Sequence, residues 1–533
     1  MSNPDNKLSS LENIHWSLRY GICVAFLLGI FLYVLYFVGA SNYLLIFAAL
    51  AGGYMAINIG ANDVANNVGP AVGSGAISLV AAVGLAAVCE GAGALLAGGD
   101  VVSTIKKGII DPSGIADTRD YIWLMAGALI AGAVWLNFAT WMGAPVSTTH
   151  SIVGGVLGAG IAAGGLGIVD WAVMSKIVAS WVISPALGGF FAAGTLALIK
   201  HFIMYREDKV KSATTYVPIL VAVMSLAFGM YIVLKGFKKL LKEYEILTKV
   251  VDGEIVGRGA TIIEAGLVGL VIAIIVFVIC KIAIKKQSLT MENTRLSVNN
   301  LFTIPLIFAA GLLSFAHGAN DVANAVGPLA AIVDAYQSAE INSTAGIPLW
   351  VMLIGALGLA VGLAMFGPKL IRTVGSEITE LDKSRAFCIV LAAAVTVIIA
   401  SQLGLPVSST HIALGGIFGV GFLREFLKTE YATQLHELIE TREGAEREEL
   451  QNYLNDFHNA PIEEMREMVK KKSVNQLTTK IIKSERKQLK KAYKQELVKR
   501  QHLYKIIAAW IITVPVSGVL AAMVYFILRG ISM

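Results

Sequence analysis

Gly60-Ala-Asn-Asp-Val-Ala-Asn-Asn-Val-Gly-Pro70 recurs as Gly318-Ala-Asn-Asp-Val-Ala-Asn-Ala-Val-Gly-Pro328. A second motif follows each copy at nearly the same distance. Pro145-Val-Ser-Thr-Thr-His150, with Gly154-Gly155 behind it, recurs as Pro406-Val-Ser-Ser-Thr-His411 with Gly415-Gly416. A weaker third echo pairs Trp181-Val-Ile-Ser-Pro185 with Trp510-Ile-Ile-Thr-Val-Pro515. Its spacing is larger, which matches an insertion into the second copy. Without that insertion the chain is two copies of one unit. Packing alone would repeat Gly, Ala and Leu. Here Asn, Asp, Ser, Thr and His recur in apolar surroundings, where unpaired polar groups are costly.

Composition fixes those surroundings. Of 533 residues, 56% are apolar and 15% charged, with a net charge of +6 and a mean hydropathy of +0.69. A soluble chain carries about a quarter charged residues, so an ordinary cytosolic enzyme and a disordered chain are both excluded. Roughly 20 apolar residues cross a bilayer as a helix, and runs near that length recur from Tyr20 to Leu528. About eleven to thirteen spans are expected, depending on whether the Pro145 and Pro406 stretches cross or return as hairpins. Cys23, Cys89, Cys280 and Cys388 lie in apolar stretches with no CxxC pair. Neither a disulfide framework nor a zinc site is expected. Asp5 and Glu12, ahead of a run long enough to span, do not fit a cleavable signal peptide.

The expected organisation is a polar N-terminal segment over 1–19, a first transmembrane repeat over 20–200 and linking helices over 201–300. A second repeat over 301–423, a charged helical insertion over 424–505 and a last helix over 506–533 complete it. The insertion is acidic first (Glu437, Glu440, Glu443, Glu446, Glu448, Glu449) and basic after (Lys480, Lys483, Arg486, Lys487, Lys490, Lys491). That pattern fits solvated helices on the cytoplasmic side. Lys235, Lys238, Lys239 and Lys242 read as an interfacial anchor.

In the first motif, the glycine and the later Gly-Pro are expected to break a helix. The freed backbone groups then need a ligand, ion or water. Asp63 with Asn62 and Asn66, and Asp321 with Asn320 and Asn324, offer carboxylate, amide and backbone oxygens suited to a small hard cation. The same aspartates could accept a hydrogen bond from a protonated oxyanion, or cap a helix start. Hydrogen phosphate keeps a proton at neutral pH and sulfate does not, so an aspartate favours phosphate. In the second motif, proline opens a helix whose first turn carries hydroxyls: Ser147, Thr148, Thr149 and Ser408, Ser409, Thr410. Those donors and the positive end of the helix make an anion site without lysine or arginine. His150 and His411 could donate to the anion too, but the role expected of them is fastening each hairpin to a neighbouring carbonyl. Glu90, isolated in Val88-Cys-Glu-Gly-Ala-Gly, reads as a cation or proton carrier, or as a helix-end carboxylate reaching water. Ser74, in Val72-Gly-Ser-Gly-Ala, is not repeated and gives weak ground for a nucleophile. Duplicated, interrupted helices fit a secondary transporter with its substrate between the repeats.

The doubled GANDVAN motif, each copy followed by PVS[ST]TH, resembles the inorganic phosphate transporter (PiT) family. The resemblance covers nearly the whole chain apart from the N-terminal segment and the charged insertion. It implies an all-α polytopic membrane protein of two inverted repeats, with broken helices and hydroxyl-rich re-entrant hairpins, working as a cation-coupled phosphate symporter. By matching position it implies phosphate binding at Asp63, Asn66, Ser147, Thr148, Thr149, Asp321, Asn324, Ser408, Ser409 and Thr410. Cation coupling is assigned to Asn62, Asp63, Glu90, Asn320 and Asp321, with Glu90 resembling a family glutamate needed for transport. Two departures stand out. Many relatives carry a second glutamate where this chain has Val390, and the charged segment precedes the last helix instead of separating the repeats.

The resulting expectation is a multi-pass protein of the cell membrane (the inner membrane in a bacterium) that imports inorganic phosphate by alternating access. Sodium or protons would be the co-ion, with no resident cofactor, no metal beyond the transported cation, no catalytic residue and no nucleic-acid partner. A homodimer and regulatory contacts through 424–505 are left open. The rivals are a transporter of another oxyanion such as sulfate, an anion channel, and a membrane enzyme. The duplication argues against the last, because catalytic sites seldom need two copies of every group.

Overall fold

A computed structural model describes residues 15–39, 43–115, 117–143, 146–251, 254–338, 347–372, 381–440 and 500–532. Residues 1–14, Pro145 and 441–499, on which parts of the expected organisation fall, lie outside the described residues. Two compact units are present: Met1–Val420 with Gln501–Met533, and Gly421–Arg500. Every candidate site residue belongs to the first.

The apolar runs become helices because in lipid only a helix satisfies its own backbone. They are α1 (Trp16–Tyr33), α2 (Tyr43–Gly73), α3 (Leu79–Ala97), α4 (Gly99–Lys107), α5 (Thr118–Met142), α6 (Thr148–Gly164), α7 (Trp171–Ile199) and α8 (Lys209–Tyr231). Then come α9 (Lys238–Glu243), α10 (Ile262–Ser288), α11 (Arg295–Asn300), α12 (Thr303–Asp321), α13 (Ala323–Ser338), α14 (Leu349–Arg372), α15 (Lys383–Gln402), α16 (Ser409–Glu440) and α17 (Arg500–Ser532). A short antiparallel pair, β1 (Thr248–Val251) and β2 (Glu254–Gly257), lies between α9 and α10. Among the described residues, eleven helical stretches are long and apolar enough to cross a membrane. Ile262, Ile263, Leu267, Ile274 and Ile279 stand exposed on α10. In water such a face would be a liability; in lipid it is the ordinary outer surface.

The hydroxyl motifs sit on helical hairpins, α5–α6 and α15–α16. Gly143 (φ 73°) and Gly404 (φ 66°) hold matching places at the ends of α5 and α15, and the left-handed conformation there turns the chain without a Cβ penalty. Val146 and Ser147, like residues 405–408, lie outside any helix, and the second helix then begins. Ser147 accepts a hydrogen bond from the His150 N–H at 3.1 Å, and Ser408 one from the His411 N–H at 3.2 Å. Each serine therefore caps its own helix, a contribution of about 1 kcal/mol.

The two copies of the first motif pack reciprocally. Gly60 on α2 lies against the Leu359 carbonyl of α14, and Gly318 on α12 against the Glu90 carbonyl of α3. A Cβ at either glycine would overlap that oxygen. These glycines let backbones meet and do not break a helix, which corrects the sequence expectation. Helix α2 runs unbroken from Tyr43 through Gly69-Pro70 to Gly73. A glycine costs a helix only about 1 kcal/mol, and the close approach offsets that. The interruption appears in the second copy alone, at Val322 between α12 and α13. There the Ala325 N–H bonds back to the Val322 carbonyl at 3.1 Å, a tight turn directly after Asp321.

Candidate functional site

Helix α2 carries Asp63 and α12 carries Asp321, each 1% exposed. The hairpin hydroxyls converge on them. Thr148 Oγ1 donates to Asp63 Oδ2 at 2.7 Å, Thr410 Oγ1 to Asp63 Oδ1 at 3.1 Å, and Ser409 Oγ to Asp321 Oδ2 at 3.0 Å. The amides cross between the copies. Asn66 Nδ2 donates to Thr410 Oγ1 at 2.9 Å. Asn324 Nδ2 donates to Thr148 Oγ1 at 3.3 Å and to Thr149 Oγ1 at 3.2 Å. A helix of the first copy thus holds the hairpin of the second, and the reverse. Thr149 Oγ1 also donates to the Val407 carbonyl of the opposite hairpin at 2.9 Å. Eight of the ten residues assigned to phosphate meet in this cluster, while Ser147 and Ser408 stand at its edge as caps.

Asn62 and Asn320 fix the stretches that lead into the hydroxyls. Asn320 Nδ2 donates to Ser401 Oγ at 3.0 Å and to the Leu405 carbonyl at 3.2 Å, and its Oδ1 accepts from the Val407 N–H at 3.3 Å. Asn62 is its counterpart. With its amide oxygen accepting from Thr140 Oγ1 at 3.1 Å, its nitrogen donates to the Val146 carbonyl at 2.9 Å and to Asp63 Oδ1 at 3.2 Å.

Glu90 is fully buried on α3. Its Oε1 accepts from Asn67 Nδ2 at 2.7 Å and lies 3.2 Å from His317 Nδ1. The other ring nitrogen, His317 Nε2, lies 2.9 Å from Asp321 Oδ2 and 3.7 Å from Asp63 Oδ2. Three buried carboxylates therefore share one imidazole. The sequence reading missed His317 and Asn67. The signal was a mismatch: His317 precedes the second Gly-Ala-Asn-Asp where the first copy has Ile59, and Asn67 stands where the second has Ala325. A search for repeated residues passes over both. Val390, the site of the absent second glutamate, is buried on α15.

Five buried oxygens in this cluster have no hydrogen-bond donor: Asn66 Oδ1, Asn67 Oδ1, Asn324 Oδ1, Asp321 Oδ1 and Glu90 Oε2. Orphaned buried acceptors are expensive, and a small cation satisfies several at once. Asp63, His317 and Asp321 offer atoms within 4.8 Å of one another, so the two carboxylates stand close enough to share an ion.

Three lysines have carboxylate partners away from the cluster. Lys106 on α4 pairs with Asp334 on α13 at 2.8 Å, both nearly buried. Lys235 and Lys238, expected as an interfacial anchor, both reach Asp100 at the start of α4. A carboxylate within reach is a strong partner for a lysine. Lys235 also donates to the Gln402 carbonyl at 3.3 Å, and Thr104 Oγ1 to the Gly404 carbonyl at 2.7 Å. Burial pushes the Asp100 carboxyl up, but the hydrogen bond and charge of Lys235, with Lys238, hold it below the usual carboxylate range. The rings of His150 and His411 pack on each other and on tryptophans, and His150 also meets the Trp510 backbone. Ser74 donates to the Ala71 carbonyl at 3.1 Å, a local turn contact.

Comparison with known proteins agrees with this geometry. A sequence profile described as the phosphate transporter family matches residues 59–521. A protein of Helicobacter pylori strain J99, named provisionally a phosphate permease, is 50% identical over 96% of this chain and 95% of its own length. A provisionally named phosphate permease of Pyrococcus furiosus is 38% identical over 72% of this chain and 88% of its own. A solved structure described as the sodium-dependent phosphate transporter superposes with a TM-score of 0.72 at 30% identity, covering 92% of this chain and 99% of that one.

Proposed function

We propose, from the premise that this chain belongs to the phosphate transporter family, that it is a multi-pass membrane symporter importing inorganic phosphate with a cation. The cross-bonding of Asn66 to Thr410 and of Asn324 to Thr148 and Thr149 carries the reading. It gathers donors from both copies around one buried point, so an anion there touches both halves of the molecule. Movement of one half against the other then changes which side of the membrane the anion faces. The reciprocal seating of Gly60 and Gly318 supports two inverted repeats as the moving parts.

Each group has a task in this scheme. Thr148, Ser409 and Thr410 turn their hydroxyl protons from the carboxylates, and Thr149 its own from the Val407 carbonyl, toward phosphate oxygens, joined by the Asn66 and Asn324 amides. Asp63 or Asp321 accepts the proton of hydrogen phosphate, which sulfate lacks, so phosphate is favoured over sulfate. Three carboxylates against one histidine leave the cluster negative, and an anion enters only if cations come with it. The orphaned oxygens of Asp321, Glu90 and the asparagines are hard donors suited to sodium. The sodium-dependent structural neighbour supports the same co-ion.

Uptake of labelled phosphate into proteoliposomes, with sodium and pH gradients imposed separately, tests this. Accumulation driven by sodium alone, resisting competition by unlabelled sulfate, is expected. Accumulation driven only by the pH gradient overturns the sodium assignment, and uptake that never exceeds the outside concentration overturns symport.

A further inference from the structure

Behind the hydroxyls lies a cluster of four rings that the transport reading does not use. His150 on α6 packs against Trp181 of α7, with ring centroids 3.8 Å apart and planes tilted by 42°. His411 on α16 packs against Trp510 of α17 at 3.6 Å, tilted by 30°. The two imidazoles meet edge to face, 4.3 Å apart with their planes at 88°. Both histidines are buried, at 4% and 2% exposure. This arrangement accounts for the third sequence echo, which otherwise has no task.

The helices are interleaved around these rings. Gly154 and Gly158 of α6 press against Val514 and Gly518 of α17, while Gly415 and Gly419 of α16 press against Pro185 and Gly189 of α7. Each hairpin helix is thus backed by the helix that follows the other hairpin, and its own histidine reaches sideways to the helix that follows it. The rings fill the space where all four helices meet. One residue earlier in each hairpin stand Thr149, which donates to Val407 across the gap at 2.9 Å, and Thr410, 3.5 Å from the Val146 carbonyl.

We propose that the close-packed Trp181–His150–His411–Trp510 ring cluster is a spacer that fixes the separation of the two hairpin tips, making the tryptophans and histidines positioning residues for the anion. Rings are suited to this: they are rigid, bulky and close-packed, and a deviation is felt as an overlap or a void. A tetrahedral oxyanion held by hydroxyls from both tips is measured by their separation, so the ring cluster sets which size of oxyanion fits. Arsenate, with the same charge as phosphate and longer bonds, is the natural probe. The inference rests on the phosphate reading above.

The test uses full-length protein in proteoliposomes, with labelled phosphate and unlabelled arsenate as competitor. Trp181→Leu and Trp510→Leu should raise the half-saturating phosphate concentration about tenfold or more, since sub-ångström to ångström misplacement carries penalties of that order. They should also shrink the preference for phosphate over arsenate. Trp181→Phe and Trp510→Phe, which keep a flat ring, should restore both values to within about threefold of wild type. His150→Phe and His411→Phe should do the same, because the spacer works by shape. Leucine variants that lower only the maximal rate, with half-saturation and the arsenate ratio unmoved, overturn the proposal. So does loss of uptake in the His→Phe variants while the protein is intact in the membrane, because the imidazole nitrogens would then be doing chemistry. If the leucine variants fail to reach the membrane, the phenylalanine variants alone decide. Wild-type vesicles that accumulate no phosphate count against the transport reading itself; normal wild-type uptake with an unmoved ratio counts against the spacer alone.

Discussion

Around Asp63 the first copy of the motif supplies Ile59 and Asn67; around Asp321 the second supplies His317 and Ala325. The helix facing Gly318 contributes Glu90, while the one facing Gly60 contributes Leu359 in the same seat. Every other position in the cluster agrees between copies: Asp63 with Asp321, Asn66 with Asn324, Thr148 with Ser409, Thr149 with Thr410. The mismatches are not scattered. Asn67, Glu90 and His317 form one line of close contacts that ends on Asp321. Groups that would hold the oxygens of an anion are present twice, and Asn67, Glu90 and His317 are present once. Symmetry suits a cargo that must be seen equally from two sides. A single-copy charge line suits a device whose occupancy must differ between those sides.

The paired aspartates offer the hardest test of the shared half. Asp63→Asn and Asp321→Asn each remove a buried charge that organises hydroxyls from the hairpins. Each should lower phosphate uptake about a hundredfold or more, the scale expected when one member of a buried charged network is removed, with the protein still in the membrane fraction. Losses of similar size in both variants sharpen the comparison. Near-normal uptake by either would break it.

The single-copy line should respond differently. Glu90→Leu gives the first copy the residue of the second, and His317→Ile gives the second the residue of the first. Each change alone strands a buried partner, so uptake should fall about tenfold or more. The double variant should recover part of that loss, with a coupling energy of about 1–3 kcal/mol in a double-mutant cycle. Strict additivity would mean that Glu90 and His317 do not act together, whatever their 3.2 Å separation. Independent of transport, Gly60→Ala and Gly318→Ala should lower thermal stability by about 1–3 kcal/mol, because each new methyl meets a fixed carbonyl. Equal losses are expected, since the two seats are the same.

These comparisons also show what the sequence makes legible. Apolar run length reveals the helices, because lipid leaves the backbone few alternatives. Repetition reveals Asp63, Asp321, the two asparagine pairs and the hydroxyls, because polar groups are retained twice in lipid only at a cost. The same logic hides His317, Asn67 and the pairing of Glu90 with both, since each occurs once. The Lys235–Asp100 contact is hidden for another reason: the partners lie far apart in the chain, and a lysine cluster at a helix end reads locally as an anchor. Gly60 and Gly318 were legible as special but not as to why. Helix breaking and close approach select the same residue, and only the opposing carbonyls distinguish them.

The smallest expected effect concerns the two hairpin lead-ins. That of the second hairpin is tied down from outside its own copy: Lys235 holds the Gln402 carbonyl and Asp100, and Thr104 holds the Gly404 carbonyl. At the first hairpin, Asn62 holds the Val146 carbonyl. Asp100→Asn should release Lys235 and change the maximal uptake rate by a few-fold, leaving half-saturation by phosphate nearly constant, because no anion-holding group moves. Asp100 and Lys238 are about a third and two-fifths exposed, so solvent screens the pair and the difference should shrink as salt is raised. The pH dependence has a definite sign. A carboxyl held below its ordinary range stays ionised through neutral pH, and its contribution is lost only as pH falls through that lowered value. Wild type and Asp100→Asn should therefore differ at neutral pH and converge in acid. A difference that persists unchanged in acid and in high salt would show that the tie is not electrostatic.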